Sequence, residues 1–458
     1  MLMLQPSCGE TRPTAERNLN VSYGGGDISC RYELVRLIMD CGIRVGLFPL
    51  VGALARALDL VSREVSHHHA RVACLTDSIA LELRLPAAER RNLLLAALLH
   101  DAGALSLQGR LDALQFETDG VTHARAGYAL LGICPQLRDV AELVLHHHTG
   151  YQVLARNIGR APMLANVINL ADRLDVSLPR SGGQAVDICA TARGMRRYAG
   201  SLFHPDYVEA LCRAVETGVA QECFTTPWGV LGRLDPDMMG ETLDSDGLFD
   251  FASVFSQVID FRSRFTATHS SGVAACAAKL GQLAGFSHSE QAQLYLAGLL
   301  HDVGKLAISS ELLEKPGPLT EEEFARMKRH PEYTAEVLGE VPGLERVSHW
   351  ASHHHERVNG SGYPYGRKGG ELELGARIMA VADIFTALSE DRPYRSGMTR
   401  EQAHGVLTAL CNEDALDPVV ANLLFTHYDE LDDVRLTAQS KALKEFRAFA
   451  ARLDDADQ

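Results

Sequence analysis

Residues 296–306 read LAGLLHDVGKL and residues 95–105 read LAALLHDAGAL, so one apolar run ending in His-Asp occurs twice in this chain of 458 residues. Leu and Ala recur through both runs at helical spacing, which puts each His-Asp pair at the end of a buried helix. Outward from His301-Asp302 the second half carries His269, His330, His354-His355 and Asp383. Outward from His100-Asp101 the first half carries His68, His123, His147-His148 and Asp172. The step from the first histidine to His-Asp is 32 residues in both halves, and the step from the single histidine to the histidine pair is 24 in both. The flanks repeat as well: HPEYTAEVLG answers HARAGYALLG, RIMAVAD answers NVINLAD, and LDPVV around Pro418 answers HPDYV around Pro205. The unit is duplicated, roughly 170 to 190 residues long, of domain size and too long for a solenoid repeat.

Between these rungs most segments show the i, i+3, i+4 pattern of helices facing a core, and alternating β-branched runs are short. The expected fold is all-α, two helical bundles in tandem. Residues 1–62 read as a flexible Gly- and Pro-containing lead-in followed by helices with a break at Pro49, and 63–234 as the first bundle. Residues 235–250, acidic with Gly and Pro, read as a linker, and 251–458 as the second bundle ending in a charged helix.

The net charge of −15 argues against a binder of nucleic-acid polymers, which need a basic surface. The apolar stretch from Val45 to Val61 contains Arg56, fitting an amphipathic helix better than a membrane span. Ten cysteines without a Cys-x-x-Cys pair read as reduced thiols, and with no signal-peptide pattern a cytoplasmic location is expected.

Imidazole and carboxylate ligands without thiolate suit Fe or Mn at least as well as Zn. Five histidines and two aspartates exceed the needs of one ion, since a catalytic Zn typically takes three protein ligands. Two ions about 3.5 to 4 Å apart, sharing a carboxylate and a hydroxide, account for the set and point to phosphoester hydrolysis.

Residues 265–425 resemble the HD-GYP family of cyclic-dinucleotide phosphodiesterases, a branch of the HD metal-dependent phosphohydrolases. The matching strings are FTATHS, LAGLLHDVGKLAI, LLEKPGPLTEEEFARMKRHP, HHERVNGSGYP, ARIMAVADIFTALSEDRPYR and LDPVV. The resemblance implies that His269, His301, Asp302 and Asp383 hold one ion, and that Asp302, His330, His354 and His355 hold the other, with Asp302 bridging and catalytic. It implies that Lys305, Arg392 and Arg395 neutralise substrate phosphates, and that Gly360, Gly362, Tyr363 and Pro364 form the signature loop beside the substrate. The implied reaction opens cyclic di-GMP or 3′3′-cyclic GMP-AMP to the linear dinucleotide. The alternative is a non-catalytic receptor or adaptor using the GYP surface, where a protein partner would dock; a homodimer is a further expectation.

Three positions depart from the family: Asn359 and Thr386 stand where Asp is common, and Phe265 where some members carry a Glu ligand, so two ions are expected and not three. The first repeat keeps all seven ligand positions, His68, His100, Asp101, His123, His147, His148 and Asp172. It lacks the substrate apparatus: Ala104 answers Lys305, HHHTGY answers HHERVNGSGYP, and nothing answers DRPYR. Three readings stay open, a silent metal-holding regulatory domain, a purely structural one, and a hydrolase of another phosphoester. The triplets His67-His68-His69 and His146-His147-His148 also leave its ligand register open by one residue.

Overall fold

The computed structural model describes residues 42–60, 67–104, 121–156, 159–178, 187–260, 268–313, 315, 317–391 and 396–455. Among these residues the only sheet is one antiparallel pair, Val45–Gly46 with Thr242–Leu243, and the all-α architecture expected from the sequence is found.

Each bundle uses its helices in the same order to deliver the ladder. His68 and His269 begin the helices His68–Glu82 and His269–Leu283. His-Asp follows the last turn of Ala87–Leu99 and of His288–Leu300, whose leucines are buried. His123 lies in the first turn of Val121–Leu131, and His330 starts His330–Gly339. The histidine pairs follow Arg138–His146 and Glu345–Ser352, while Asp172 and Asp383 lie inside Arg160–Val176 and Leu374–Ser389. The echo of HPDYV in LDPVV also has a physical origin. His204 and Asp417 cap helices that open on Pro205 and Pro418, where the absent N–H would have no helical partner anyway.

In both repeats the glycine two residues after His-Asp lets two chains touch. A Cβ on Gly304 would overlap the His330 carbonyl oxygen and lie 2.7 Å from the Thr334 nitrogen; one on Gly103 would overlap the His123 carbonyl oxygen and the Gly127 nitrogen. The His-Asp turn is thereby pressed against the start of the helix bearing the next rung.

The two repeats are joined through a pair of lead helices, Leu47–Asp59 and Ser245–Asp260. Each is preceded by one strand of the sheet, and Val45 pairs with Leu243, its counterpart two residues ahead of the helix. The first lead helix packs on its own repeat and also on Val303–Ala307 and His330–Gly339 of the other; the second packs on its own repeat and on Val121–Leu131 of the first. The arrangement is a pseudo-twofold pair. Its first lead helix is buried from Leu50 through Ala55, with Arg56 stacked 3.9 Å over Trp228.

Several expectations are corrected. Pro49 lies in the first turn of Leu47–Asp59, where it breaks no hydrogen bond, instead of separating two helices. Residues 235–250 contain the helix Pro236–Met239, the strand Thr242–Leu243 and the start of the second lead helix. Cys74 and Cys223, read as reduced thiols, form a disulfide with Cα atoms 5.5 Å apart across 149 residues of sequence. The described cysteines Cys134, Cys189, Cys212, Cys276 and Cys411 are free, as expected.

Candidate metal centre and active site

The histidines of the second repeat are aimed by their own backbone. The Nδ1 atoms of His301, His330 and His354 lie 2.8, 2.8 and 2.6 Å from the carbonyls of Gly298, Met327 and Ala351, each three residues back. A carbonyl only accepts, so Nδ1 carries the proton and each Nε2 offers a lone pair to the cluster. Burial lowers His330 to about 4 and His354 to about 3, against the charged form of each ring.

Asp302 stands among them. Its Oδ1 lies 3.4 Å from His330 Nε2 and 3.9 Å from His354 Nε2, while Oδ2 lies 3.3 Å from His301 Nε2 and 2.6 Å from Lys305 Nζ. Burial works against its charge, but His301 and Lys305 outweigh that and hold the carboxyl well below the usual range. His269 Nε2 lies 3.1 Å from Asp383 Oδ1, and His355 Nδ1 is 3.8 Å from Asp383 Oδ2. Burial opposes the charge on His269 too, yet Glu390 and Asp383 push it up to about 10. Three groups each bring their donor atoms within 4.8 Å of one another: His269, His301 and Asp383; His301, Asp302 and His354; His330, His354 and His355. Asp302 Oδ1 is buried without a hydrogen-bond partner. A buried carboxylate oxygen facing imidazole lone pairs suits a divalent cation, so the donor set fits the metal that the sequence implies.

The signature loop is tied down beside this cluster. Glu356 accepts hydrogen bonds from the backbone nitrogens of Tyr365, Gly366 and Arg367 at 2.7, 3.1 and 3.0 Å. Tyr363 donates its N–H to the His355 carbonyl, its ring centre lies 4.7 Å from that of His355, and the Tyr363-Pro364 peptide is cis. A Cβ on Gly362 would overlap the Arg357 nitrogen, and Gly360 has φ of 79°, so both glycines are required by space or conformation. Asn359 bonds Ser361 and the Glu413 carbonyl at the loop's exposed edge and touches no ligand. Arg392, Arg395 and Phe265 lie outside the described residues.

Two contributors escaped the sequence reading, Glu356 and Glu390. Glu390 lies 3.2 Å from His269 Nδ1. In the first repeat the counterpart of Thr386 is Asp175, which approaches His68 Nδ1 at 2.7 Å. Glu390, one helical turn beyond Thr386, thus holds the ring that an aspartate would otherwise hold. That relation needed the folded helix to be seen.

The first repeat brings its ladder together as well. His68 Nε2 is 3.4 Å from Asp172 Oδ1, His123 Nε2 is 3.3 Å from Asp101 Oδ1, and His148 Nε2 is 3.0 Å from His123 Nε2. His68, His147 and His148 are the ones whose donor atoms join the cluster, while His69 turns instead to Asp59 of the lead helix at 2.6 Å and His67 is exposed. Asp101 Oδ1 and Asp172 Oδ2 are buried without hydrogen-bond partners. Two differences stand out: Ala104 is buried where Lys305 extends, and Arg173, where the second repeat has Ile384, places Nη2 2.9 Å from His148 Nδ1.

Known proteins share this architecture. A model of the HD domain matches residues 65–177, and a second HD-domain model matches residues 253–420. The 3′3′-cGAMP-specific phosphodiesterase 1 of Vibrio cholerae is 32% identical over 424 residues, 86% of this chain and 95% of that protein. A cyclic di-GMP phosphodiesterase of Pseudomonas aeruginosa is 43% identical over 109 residues, 24% of this chain and 26% of that protein. The crystal structure of a cyclic GMP-AMP specific phosphodiesterase of V. cholerae superposes with a TM-score of 0.58 at 23% identity, covering 88% of this chain and 98% of that one, and shows the same fold. The chain belongs to the HD-GYP family, and a degenerate HD repeat precedes its HD-GYP domain.

Proposed function

We propose that the chain is a metal-dependent phosphodiesterase that opens a cyclic dinucleotide to its linear form, with 3′3′-cyclic GMP-AMP the favoured substrate and cyclic di-GMP the second choice. The observation that carries this reading is the Asp302 carboxylate, with one oxygen toward His330 and His354 and the other toward His301 and Lys305. The near full-length likeness to a cGAMP-specific enzyme, against a short match to a cyclic di-GMP enzyme, supports the substrate order.

His269, His301, Asp302 and Asp383 would hold one ion and Asp302, His330, His354 and His355 the other, with iron or manganese suited to this nitrogen and oxygen set. Bound there, such ions supply Lewis acidity and lower the pKa of water to about 7. Lys305 places its ammonium at the open edge of the cluster, a quarter exposed, where an incoming phosphodiester gains from its charge. Tyr363 and the anchored loop wall the cluster on the His355 side. The receptor alternative loses its ground, because Glu390 makes up for Thr386 and Asn359 lies away from the ligands. Among the described residues no helix is long and apolar enough to cross a membrane, in keeping with the cytoplasmic location we assign. The first repeat, with its ladder gathered and Ala104 for lysine, holds metal without hydrolysing the substrate.

Protein purified without oxygen should carry two ions in the second repeat and hydrolyse both dinucleotides, 3′3′-cyclic GMP-AMP faster. Replacing His100 and Asp101 together by Ala should lower total metal while sparing turnover. Elemental analysis alongside chromatography of the products decides it; metal-replete protein that opens neither dinucleotide defeats the assignment.

A further inference from the structure

The two ladders match in residue type, but the group behind the last histidine has changed sign. In the second repeat His355 turns Nδ1 toward the Asp383 carboxylate, 3.8 Å away, and the residue after Asp383 is Ile384. In the first repeat His148 turns Nδ1 toward Arg173, the residue after Asp172, whose Nη2 is 2.9 Å away. Arg173 is 4% exposed, and its Nε lies 3.7 Å from Asp172 Oδ2, so the guanidinium is held between two ligand positions.

A guanidinium has only donors and keeps its charge, so His148 Nδ1 accepts from it and the ring proton sits on Nε2. That Nε2 lies 3.0 Å from His123 Nε2, a hydrogen-bond length, and the bond occupies the lone pair of His123. A histidine that ligates metal does the reverse, donating its other N–H to a carbonyl or carboxylate and presenting a bare nitrogen to the ion. His100 and His147 keep that arrangement, with Nδ1 2.8 and 2.6 Å from the Ala97 and Val144 carbonyls, and His68 Nδ1 lies 2.7 Å from Asp175. With His123 and His148 bonded to each other, Asp101 and His147 are left on their side of the cluster, fewer than the three protein ligands a catalytic ion typically takes. On the other side His68, His100 and Asp101 keep their donor atoms within 4.8 Å of one another, and Asp172 Oδ1 lies 3.4 Å from His68 Nε2.

Resting on the reading that the first repeat holds metal, we infer that it holds one ion, among His68, His100, Asp101 and Asp172, and that the buried Arg173 guanidinium takes the place of the second as a fixed cation. The spacing of the ladder conceals this, because all seven ligand positions are kept. The two-ion clamp of phosphodiester cleavage is then missing from the first repeat on grounds separate from Ala104.

The test counts ions in the full-length protein loaded with manganese alone, by elemental analysis after dialysis. Wild type should hold three, two in the second repeat and one in the first. Arg173→Ile, which copies the second repeat, and Arg173→Met, which keeps a long stem, should each hold four, and the gain should vanish when His148→Ala is added. His148→Ala by itself should leave the wild-type count unchanged, whereas His68→Ala should lower it by one. Four ions in wild type, no gain in a folded Arg173 variant, or metal lost in His148→Ala each overturns the inference; if neither Arg173 variant keeps the wild-type melting temperature, His148→Ala decides. Wild type holding only the two ions of the second repeat would defeat the metal-holding reading of the first, and the part played by Arg173 is then still read from the ion gained by its variants.

Discussion

Asp302→Ala should give a folded chain with no measurable turnover. Its two oxygens reach the two sets of histidines within 4 Å, so one deletion disconnects both halves of the cluster. Stabilisation by a bound ion is worth several kcal/mol in a transition state, so the expected loss exceeds about a thousandfold. The fold should survive, because the group left behind, Lys305, is a quarter exposed and finds water, and the histidines keep their backbone partners. Asp302→Asn, which keeps the shape and removes the charge, should be nearly as inactive. Circular dichroism, elemental analysis and turnover measured on one preparation check this. A variant that keeps both ions, or a tenth of the wild-type rate, would remove Asp302 from the centre of the mechanism.

The second large effect belongs to a residue without a side chain. Gly304→Ala would drive a methyl into the His330 carbonyl and the Thr334 nitrogen, both backbone atoms that cannot rotate away. Overpacking of this kind costs about 1–3 kcal/mol or more. Relief must come from the helix His330–Gly339 moving outward, and it carries His330 away from Asp302, now 3.4 Å off. Misplacing a reacting group by about 1 Å can cost about a hundredfold in rate. Gly103→Ala makes the same collision against His123 and Gly127 in the first repeat. It should lower the melting temperature comparably yet leave most of the turnover, assayed well below melting. Should Gly103→Ala silence the enzyme as Gly304→Ala does, the division of labour between the repeats would be wrong.

The fold was legible because helical period and ligand spacing coincide: a buried helix can end in His-Asp twice only if the surrounding helices recur as well. The gathering of His269, His330 and Asp383 could be anticipated for the same reason. What the sequence hid depends on distance. Cys74 and Cys223 are 149 residues apart, so no local pattern joins them. Leu47–Asp59 looked amphipathic, yet its packing between two bundles buries most of its surface. Glu390 and Glu356 act through a ring nitrogen and three amides that only the folded chain brings near. His69, beside His68, is drawn off by Asp59, which lies on a helix the periodicity treats as separate.

The pairing of Val45 with Leu243 makes the molecule its own partner. In two identical subunits meeting about a twofold axis, every substitution falls on both sides at once, and the union weakens on dilution. Here the halves are covalently successive, so their encounter is intramolecular and independent of concentration. Alanine can then replace lysine in one half while the other keeps its charge, and a single particle carries one cluster with its lysine and one without at any dilution.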